Sequence, residues 1–203
     1  MLDRPVINPK GKGGSYGVIL IGIFWLAMVL AGFAVLQREE FTPVTSTSVG
    51  RDFPRGSSIA MAPDRPTLVI FLHPYCPCSR ATLRQLGELL AETQDKEAVT
   101  LVFTIPKGLP PGWEKESLWR TASAIPGVRV VRDEEGVEAR RFNVIGSGHA
   151  LLYAPAGRLL FSGGITASRG HEGDNPGQDA IVRFVLHGQS DVTHTPVFGC
   201  ALL

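Results

Sequence analysis

The sequence has few cysteines and almost no surplus charge, and each shortage excludes a class of protein. Only three cysteines occur among 203 residues, too few for a small secreted fold that depends on a framework of disulfides. The formal net charge is +1, so the concentrated basic surface of a nucleic-acid-binding protein is not expected. With 19% charged and 44% hydrophobic residues, the composition is that of a folded chain.

The common sequence motifs of metal and phosphate sites are missing as well. No His-Glu-x-x-His motif, no paired Cys-x-x-Cys motif and no phosphate-loop spacing occurs, and no internal repeat is visible. The glycine pair Gly163-Gly164 lacks phosphate-loop spacing and is predicted to form a turn. Function must therefore be sought in the positions of the few cysteines and histidines.

Charge is absent altogether from Tyr16 to Leu36, where nearly every residue is hydrophobic. At about 1.5 Å per residue, a helix of this length crosses a hydrocarbon core of roughly 30 Å. Basic residues precede the run (Arg4, Lys10 and Lys12), which predicts a cytoplasmic N-terminus and an exported remainder. The sequence thus predicts a cytoplasmic segment over residues 1–15 and a transmembrane anchor over 16–36.

A cleaved signal peptide is the alternative interpretation of the same run. The hydrophobic part of a signal peptide usually has about 7–15 residues and ends at a small-x-small site. This run is longer, and Gly32-Phe33-Ala34 is a poor candidate for such a site. The pattern therefore favours an anchor that is retained.

Composition changes twice after the anchor and predicts three further segments. Residues 37–66 are rich in Thr, Ser, Gly and Pro, which is typical of a flexible tether. Residues 67–188 form the folded domain, and residues 189–203 form a C-terminal tail. Within the domain the predicted order is β-α-β-α-β-α-β-β-α: Thr67–Leu72, Cys78–Thr93, Val99–Ile105, Trp113–Ala124, Val128–Val131, Glu134–Phe142, Ala150–Tyr153, Arg158–Phe161 and a last helix capped by Asn175. This alternation predicts an α/β fold whose mixed sheet has helices on both faces.

The cysteine-bearing segment follows the first buried strand directly. It has the sequence His73-Pro-Tyr-Cys76-Pro-Cys78-Ser-Arg80, and a helix begins within it. Unpaired N–H groups and the positive dipole end at a helix start stabilise a thiolate, and Arg80 adds a nearby cation. The segment therefore predicts a reactive thiol at Cys76 or Cys78; the alternative is a pair of buried structural cysteines.

The segment TLVIFLHPYCPCSRATLRQL is similar to the active-site strand, turn and helix of the thioredoxin superfamily. The anchor, tether and domain together resemble membrane-anchored bacterial thiol–disulfide oxidoreductases, with the likeness covering residues 66–188. The resemblance implies a thioredoxin-like mixed sheet with flanking helices after one transmembrane helix. It also implies protein thiols or disulfides as partners, no cofactor, and a single-pass inner-membrane protein with a periplasmic C-terminal domain.

The motif departs from that superfamily in the spacing of its cysteines. Only Pro77 separates the two cysteines, where the usual motif has two residues. Either Cys76 is the nucleophile with Ser79 in the usual place of its partner, or Cys76 and Cys78 form a close pair. A disulfide between such near neighbours is strained and therefore easily reduced.

Two other superfamily positions are also changed. Ile70 stands where the superfamily has a buried acidic residue, so His73 is the candidate for proton transfer. Gly148 stands where the superfamily has a cis-proline, and His149 follows it. Gly148 and His149 are therefore the predicted substrate-loop residues.

Cys200 lies in the predicted tail, far from the other two cysteines along the chain. An odd thiol in an exported protein is either a partner for another cysteine or a reactive group. Cys76 is expected to attack as the thiolate and Cys78 to resolve the mixed disulfide. In a second hypothesis the tail folds back and Cys200 resolves a mixed disulfide at Cys76 or Cys78. The alternative is an apolar tail that carries an incidental thiol.

Copper binding is the second function hypothesis. His73, His149 and His171 lie in loops that this fold would bring near Cys76, and soft thiolates with imidazole suit copper. The candidate ligands are Cys76, Cys78 and His149, and the function would then be copper delivery. A third hypothesis is a scaffold that keeps the fold without the chemistry.

Overall fold

The computed structural model describes residues 13–44, 48–110, 112–113 and 117–202, with side chains from Tyr16 onward. The chain divides into two compact units between Glu40 and Phe41. The helices and strands are α1 (Gly13–Glu40), β1 (Thr67–Leu72), α2 (Pro77–Thr93), β2 (Ala98–Ile105), α3 (Ser117–Ser123), β3 (Val128–Glu134), α4 (Val137–Arg141), β4 (His149–Tyr153), β5 (Leu159–Gly164) and α5 (Pro176–His187).

Helix α1 forms the first unit, and its hydrophobic side chains are exposed. The helix is long and apolar enough over Tyr16–Glu40 to cross a membrane, the one such helix within the described ranges. It continues past the predicted end of the anchor at Leu36. A signal sequence near the N-terminus can meet the same criteria of length and composition. Of the predicted cytoplasmic segment 1–15, residues 13–15 belong to α1 and residues 1–12 lie outside the described residues.

The second unit contains a five-stranded sheet in the order β3-β2-β1-β4-β5. The first three strands are parallel, β4 is antiparallel to β1, and β4 and β5 form an antiparallel hairpin. All six residues of β1 are buried, as the continuous apolar run predicts for a strand covered on both faces. The predicted order of elements and the mixed sheet are confirmed, and the fold is thioredoxin-like.

Helices cover the two faces of the sheet unequally. Leu68, Ile70 and Leu72 of β1 belong to a large core cluster that also contains residues of α2, α3 and α5. Val69 and Phe71 belong to a smaller cluster on the opposite face, where α4 is the accompanying helix. A helix of five residues leaves much of that face to be covered by other parts of the chain.

The structure differs from the predicted tether over the described part of residues 37–66. Ile59 is 4% exposed in the smaller core cluster, and the Phe53 ring packs edge-on against Phe142 and Tyr153 at 5.2 and 5.0 Å. The hydroxyl groups of Ser57 and Ser58 also donate to the Glu138 carboxylate. These apolar residues follow no helix or strand period, so the sequence pattern resembles a linker although the segment covers one face of the sheet.

The predicted C-terminal tail also lies on the domain. Val44 N–H donates to Val197 O at 2.8 Å, and His194 bridges to Ser162 of β5 in a parallel sense. Gly163 and Gly164 lie at the end of β5 beside this tail, so their prediction as a turn is wrong. The tail therefore brings Cys200 back toward the sheet.

Candidate functional site

The site is built at the point where β1 ends and α2 begins. Cys76 is the N-cap of α2, with extended backbone (φ −82°, ψ 124°), and Pro77 is at the first helical position. The Cys76 side chain makes no capping hydrogen bond to the helix backbone. A proline at this position sacrifices no helix hydrogen bond, so the start of the helix is fixed by local sequence. The Cys76 sulfur therefore has contacts other than a capping hydrogen bond.

Three sulfur atoms meet at this helix start. The Sγ atoms of Cys76 and Cys200 lie 2.8 Å apart, although the residues are 124 positions apart in sequence. The Cys78 Sγ atom completes a group whose members all lie within 4.8 Å of one another. The structure has all three as free thiols, with Cys76 and Cys78 buried and Cys200 half-buried. The structure thus places the tail cysteine against the motif.

The environment separates the three thiols by their acidity. Hydrogen bonding from the Cys78 side chain is the largest cause that lowers the pKa of Cys76, to about 4, and the side chain and backbone N–H of Cys200 contribute. The same hydrogen bond and burial raise the pKa of Cys78 far above its ordinary value. Burial and the contact with Cys76 raise the pKa of Cys200 to about 11. At neutral pH Cys76 is therefore a thiolate between two protonated thiols.

Hydrogen bonds of two serine hydroxyl groups hold the turn between β1 and α2 in place. Ser79 is fully buried, and its Oγ donates to the His73 carbonyl at 3.0 Å and lies 2.6 Å from Ser147 Oγ. Ser147 Oγ in turn accepts a hydrogen bond from His73 N–H at 2.9 Å. These contacts join the end of β1, the first turn of α2 and the loop before β4. Ser79, which stands in the usual place of the second cysteine, is thus bonded within the fold.

Aromatic residues line the outer side of the motif. His73 Nδ1 accepts the Tyr75 N–H at 3.2 Å, and the Trp113 ring lies 5.9 Å from the His73 ring and 4.4 Å from the Tyr75 ring. Burial lowers the pKa of His73, while the nearby Cys76 charge acts in the opposite direction. His73 is therefore mainly neutral at pH 7. Exposed Arg80 lines a recess of about 210 Å³ next to Cys76.

The structure adds Arg169, a cation that the sequence analysis missed. Its Nη1 donates to the Gly199 carbonyl at 2.7 Å. Its charge also acts to lower the pKa values of Cys78 and Cys200, against the larger effects that raise them. Arg169 lies two residues before His171, and its role depends on a contact with a distant residue that no local pattern indicates.

The remaining predicted residues have structural contacts. Gly148, on the predicted substrate loop, has φ +87° and donates its N–H to Phe71 O at 2.7 Å. Buried His149 lies with its Nε2 2.8 Å from Ser162 Oγ, and burial lowers its pKa to about 4. His171 Nδ1 is 3.0 Å from the Arg169 carbonyl. Within the described ranges, the group of potential metal ligands at this site contains the three cysteines and none of these histidines.

Comparisons with known proteins give likenesses of structure. No protein-family model matches the chain, and no curated protein matches it. A hypothetical protein from Sinorhizobium meliloti has a TM-score of 0.59 at 18% identity, covering 79% of this chain and 97% of its own. An uncharacterized conserved protein from Geobacillus kaustophilus has a TM-score of 0.56 at 13% identity, covering 80% and 92%.

A thioredoxin domain of a thiol–disulfide oxidoreductase from Bacteroides vulgatus also matches. Its TM-score is 0.43 at 16% identity, covering 71% of this chain and 99% of that domain. The likeness is too distant to bear on the function of this chain. A functional conclusion must therefore come from the residues of the site itself.

Proposed function

We propose that the protein is a membrane-anchored thiol–disulfide oxidoreductase that acts on protein thiols outside the cytoplasm. The observation that carries the proposal is the Cys76 thiolate at the start of α2, with two further thiols within 4.8 Å. A thiolate is the form of cysteine that attacks disulfides, and a second thiol nearby is what releases the product. The site has both.

The reaction that fits the site balances without any other reactant. Cys76 attacks one sulfur of a partner's disulfide, the partner's S–S bond breaks, and the second partner sulfur leaves as a thiolate. Cys200 or Cys78 then loses its proton and attacks Cys76, which releases the other partner sulfur and leaves an intramolecular disulfide. The partner gains the two electrons that the protein loses. The reverse sequence oxidises a partner dithiol.

The strain of a Cys76–Cys78 disulfide favours Cys200 over Cys78 as the second thiol. Cys200 Sγ is in contact with Cys76 Sγ at 2.8 Å, so Cys200 can attack Cys76 without a rearrangement of the site. A Cys76–Cys78 bond would instead close a strained ring across Pro77.

The location is supported by the apolar helix and the charges around it. Helix α1 has the length and composition of a membrane span, and basic residues in the sequence precede it. We propose a single pass through the inner membrane with the domain in the periplasm, where disulfide exchange is expected.

Single replacements of the three cysteines test the proposed reaction. We expect Cys76→Ser to reduce disulfide reductase activity on insulin by about a thousandfold or more, because the nucleophile is lost. Cys200→Ser should slow turnover and accumulate the mixed disulfide at Cys76. Cys78→Ser is the matched control, because it removes a different thiol of the same cluster and keeps a hydroxyl donor beside Cys76. Undiminished activity of Cys76→Ser would refute the proposal.

Binding of a soft metal ion is a second candidate, favoured by the group of three sulfurs. Thiolates select Cu(I), and three of them suit a trigonal site. The proposed ligands are Cys76, Cys78 and Cys200, with Cys200 replacing His149. Competition with a Cu(I) chelator should show an affinity about tenfold or more lower in Cys200→Ser than in His149→Ala. Equal affinities in both variants would exclude this ligand set.

A further inference from the structure

The C-terminal arm, residues 193–202, first follows the free edge of β5. Ser162 N–H donates to Thr193 O at 3.0 Å, Thr195 N–H donates to Ser162 O at 3.3 Å, and Gly164 N–H donates to Pro196 O at 3.2 Å. The arm is therefore paired to the sheet through its main chain. This pairing holds residues 193–196 against β5 and so positions the residues that follow them.

The β5 edge is shaped for the arm by residues without side chains. A Cβ atom on Gly163 would lie 2.2 Å from Thr195 Oγ1, and one on Gly164 would lie 2.7 Å from Pro196 O. Neither distance is compatible with a side chain. The glycine pair thus permits a close approach of two backbones, which is the reason for glycine in a strand.

The end of the arm then crosses to the loop before β4 and pairs with it as an extended peptide. Ser147 N–H donates to Cys200 O at 2.8 Å, and Leu202 N–H donates to Ile145 O at 2.9 Å. Gly146 and Ala201 form an antiparallel bridge between these hydrogen bonds. Only backbone atoms of the arm take part, so any extended peptide can make the same hydrogen bonds.

Side chains decide which peptide fits this loop. A Cβ atom on Gly199 would lie 1.8 Å from Ser147 O, so only glycine is accepted before the cysteine. Leu202, two residues after the cysteine, is 2% exposed in the smaller core cluster, whereas Ala201 points to solvent. Arg169 holds the carbonyl of Gly199. The loop therefore selects a peptide segment of four consecutive residues: a glycine, a cysteine, any residue and a large aliphatic residue.

We propose that the loop Ile145–Ser147, with Arg169, is a peptide-binding site whose built-in occupant is Gly199–Leu202. This inference rests on the proposed function, and it specifies the substrate as an extended Gly-Cys-x-aliphatic segment. A substrate segment displaces the end of the arm and places its own cysteine where Cys200 lies. Cys76 attacks that sulfur, the substrate's S–S bond breaks, and its other sulfur leaves with the electron pair as a thiolate.

The test uses the full chain in detergent with Cys78→Ser and Cys200→Ser, so that Cys76 is the reacting thiol. The probe is the nonapeptide Thr-Pro-Val-Phe-Gly-Cys-Ala-Leu-Leu, activated as a mixed disulfide with thionitrobenzoate. Attack by Cys76 on the peptide sulfur releases coloured thionitrobenzoate, which gives the rate. A second peptide has alanine in place of the glycine. Gly199→Ala is added to expel the arm, and Gly87→Ala is its control because its Cβ meets no atom within 4 Å.

In the Gly199→Ala protein, we expect the glycine peptide to react about tenfold or more faster than the alanine peptide. The Gly87→Ala protein keeps its arm in place and should react slowly with both peptides. Equal rates for the two peptides in Gly199→Ala, or equal rates in the two proteins, would overturn the inference. A chain that ends at Phe198 replaces Gly199→Ala if circular dichroism shows that variant unfolded.

Glutathione disulfide, which is too small to use the arm's contacts, separates this inference from the proposed function. It should form a mixed disulfide with Cys76 in every one of these proteins, detected by mass. Reaction with glutathione disulfide without peptide selection would remove only the peptide-binding site. Failure of both reactions would remove the proposed function as well.

Discussion

Helices α2 and α5 begin with the same local design and use it for different purposes. Each has an extended N-cap residue followed by proline at the first helical position, Cys76-Pro77 in α2 and Asn175-Pro176 in α5. The Asn175 side chain accepts the Gln178 N–H at 2.8 Å and so completes its helix. The Cys76 side chain makes no such bond.

At the start of α2 the N-cap residue is a reactive group, and its side chain does not stabilise the helix as the Asn175 side chain does in α5. Sulfur at the α2 cap is surrounded by hydrogen-bond donors that lower its pKa, whereas the amide oxygen at the α5 cap stabilises the helix. Helix α2 is held instead by Ser79, bonded to Ser147 Oγ and the His73 carbonyl. In α2 the side-chain hydrogen bonds that stabilise the helix start are therefore made by Ser79 in the first turn and not by the N-cap residue.

The largest expected effect is on the reactivity of the α2 cap. Cys78→Ala removes the hydrogen bond that most lowers the pKa of Cys76, so this pKa should rise from about 4. Thiolate is lost as the pH falls through the pKa, so the loss should begin at higher pH in the variant. At about pH 5.5, alkylation of Cys76 by iodoacetamide should slow by more than about tenfold.

Two variants serve as controls for that measurement. Cys78→Ser keeps a hydroxyl donor and should preserve much of the low pKa. Cys200→Ala keeps the backbone N–H that donates to Cys76, so the pKa of Cys76 should rise less than in Cys78→Ala. A larger rise in Cys200→Ala would show that the tail, and not the motif, sets the acidity.

A smaller effect is expected on the stability of the α2 start. Ser79→Ala leaves the buried Ser147 hydroxyl and the His73 carbonyl without this partner. The free energy of unfolding should fall by about 1–3 kcal/mol, measured by urea denaturation of the full chain in detergent. Ser123→Ala, at an exposed position in α3, is the control. Equal stabilities of the two variants would contradict the proposed transfer of the capping role.

The smallest expected effect is at the α5 cap. Asn175→Ala removes the acceptor for the Gln178 N–H, and the free energy of unfolding should fall by about 1 kcal/mol. Asn175→Ser keeps an oxygen acceptor and should restore most of it. Thiol reactivity at Cys76 should be unchanged in both, and a change there would mean that the two helix starts are coupled.

The order of the strands and helices could be predicted because its signals are local. The apolar run Thr67–Leu72, the cap at Asn175 and the glycine after His187 each depend on a few neighbouring residues, and each is found as predicted. The segment around Phe53 and Ile59 could not be recognised in this way. Its apolar residues cover a sheet face without any period, so only the packed structure reveals them.

The sequence by itself determined that a cysteine pair lies at a strand–helix junction, because proline, strand and helix signals all lie within one short segment. Tertiary structure alone decided that Cys200 meets Cys76 and that Arg169 holds the arm beside it. Those contacts join distant parts of the chain and depend on backbone pairing and on space left by Gly163 and Gly199. This space exists only when the two chain segments pack against each other in the folded protein.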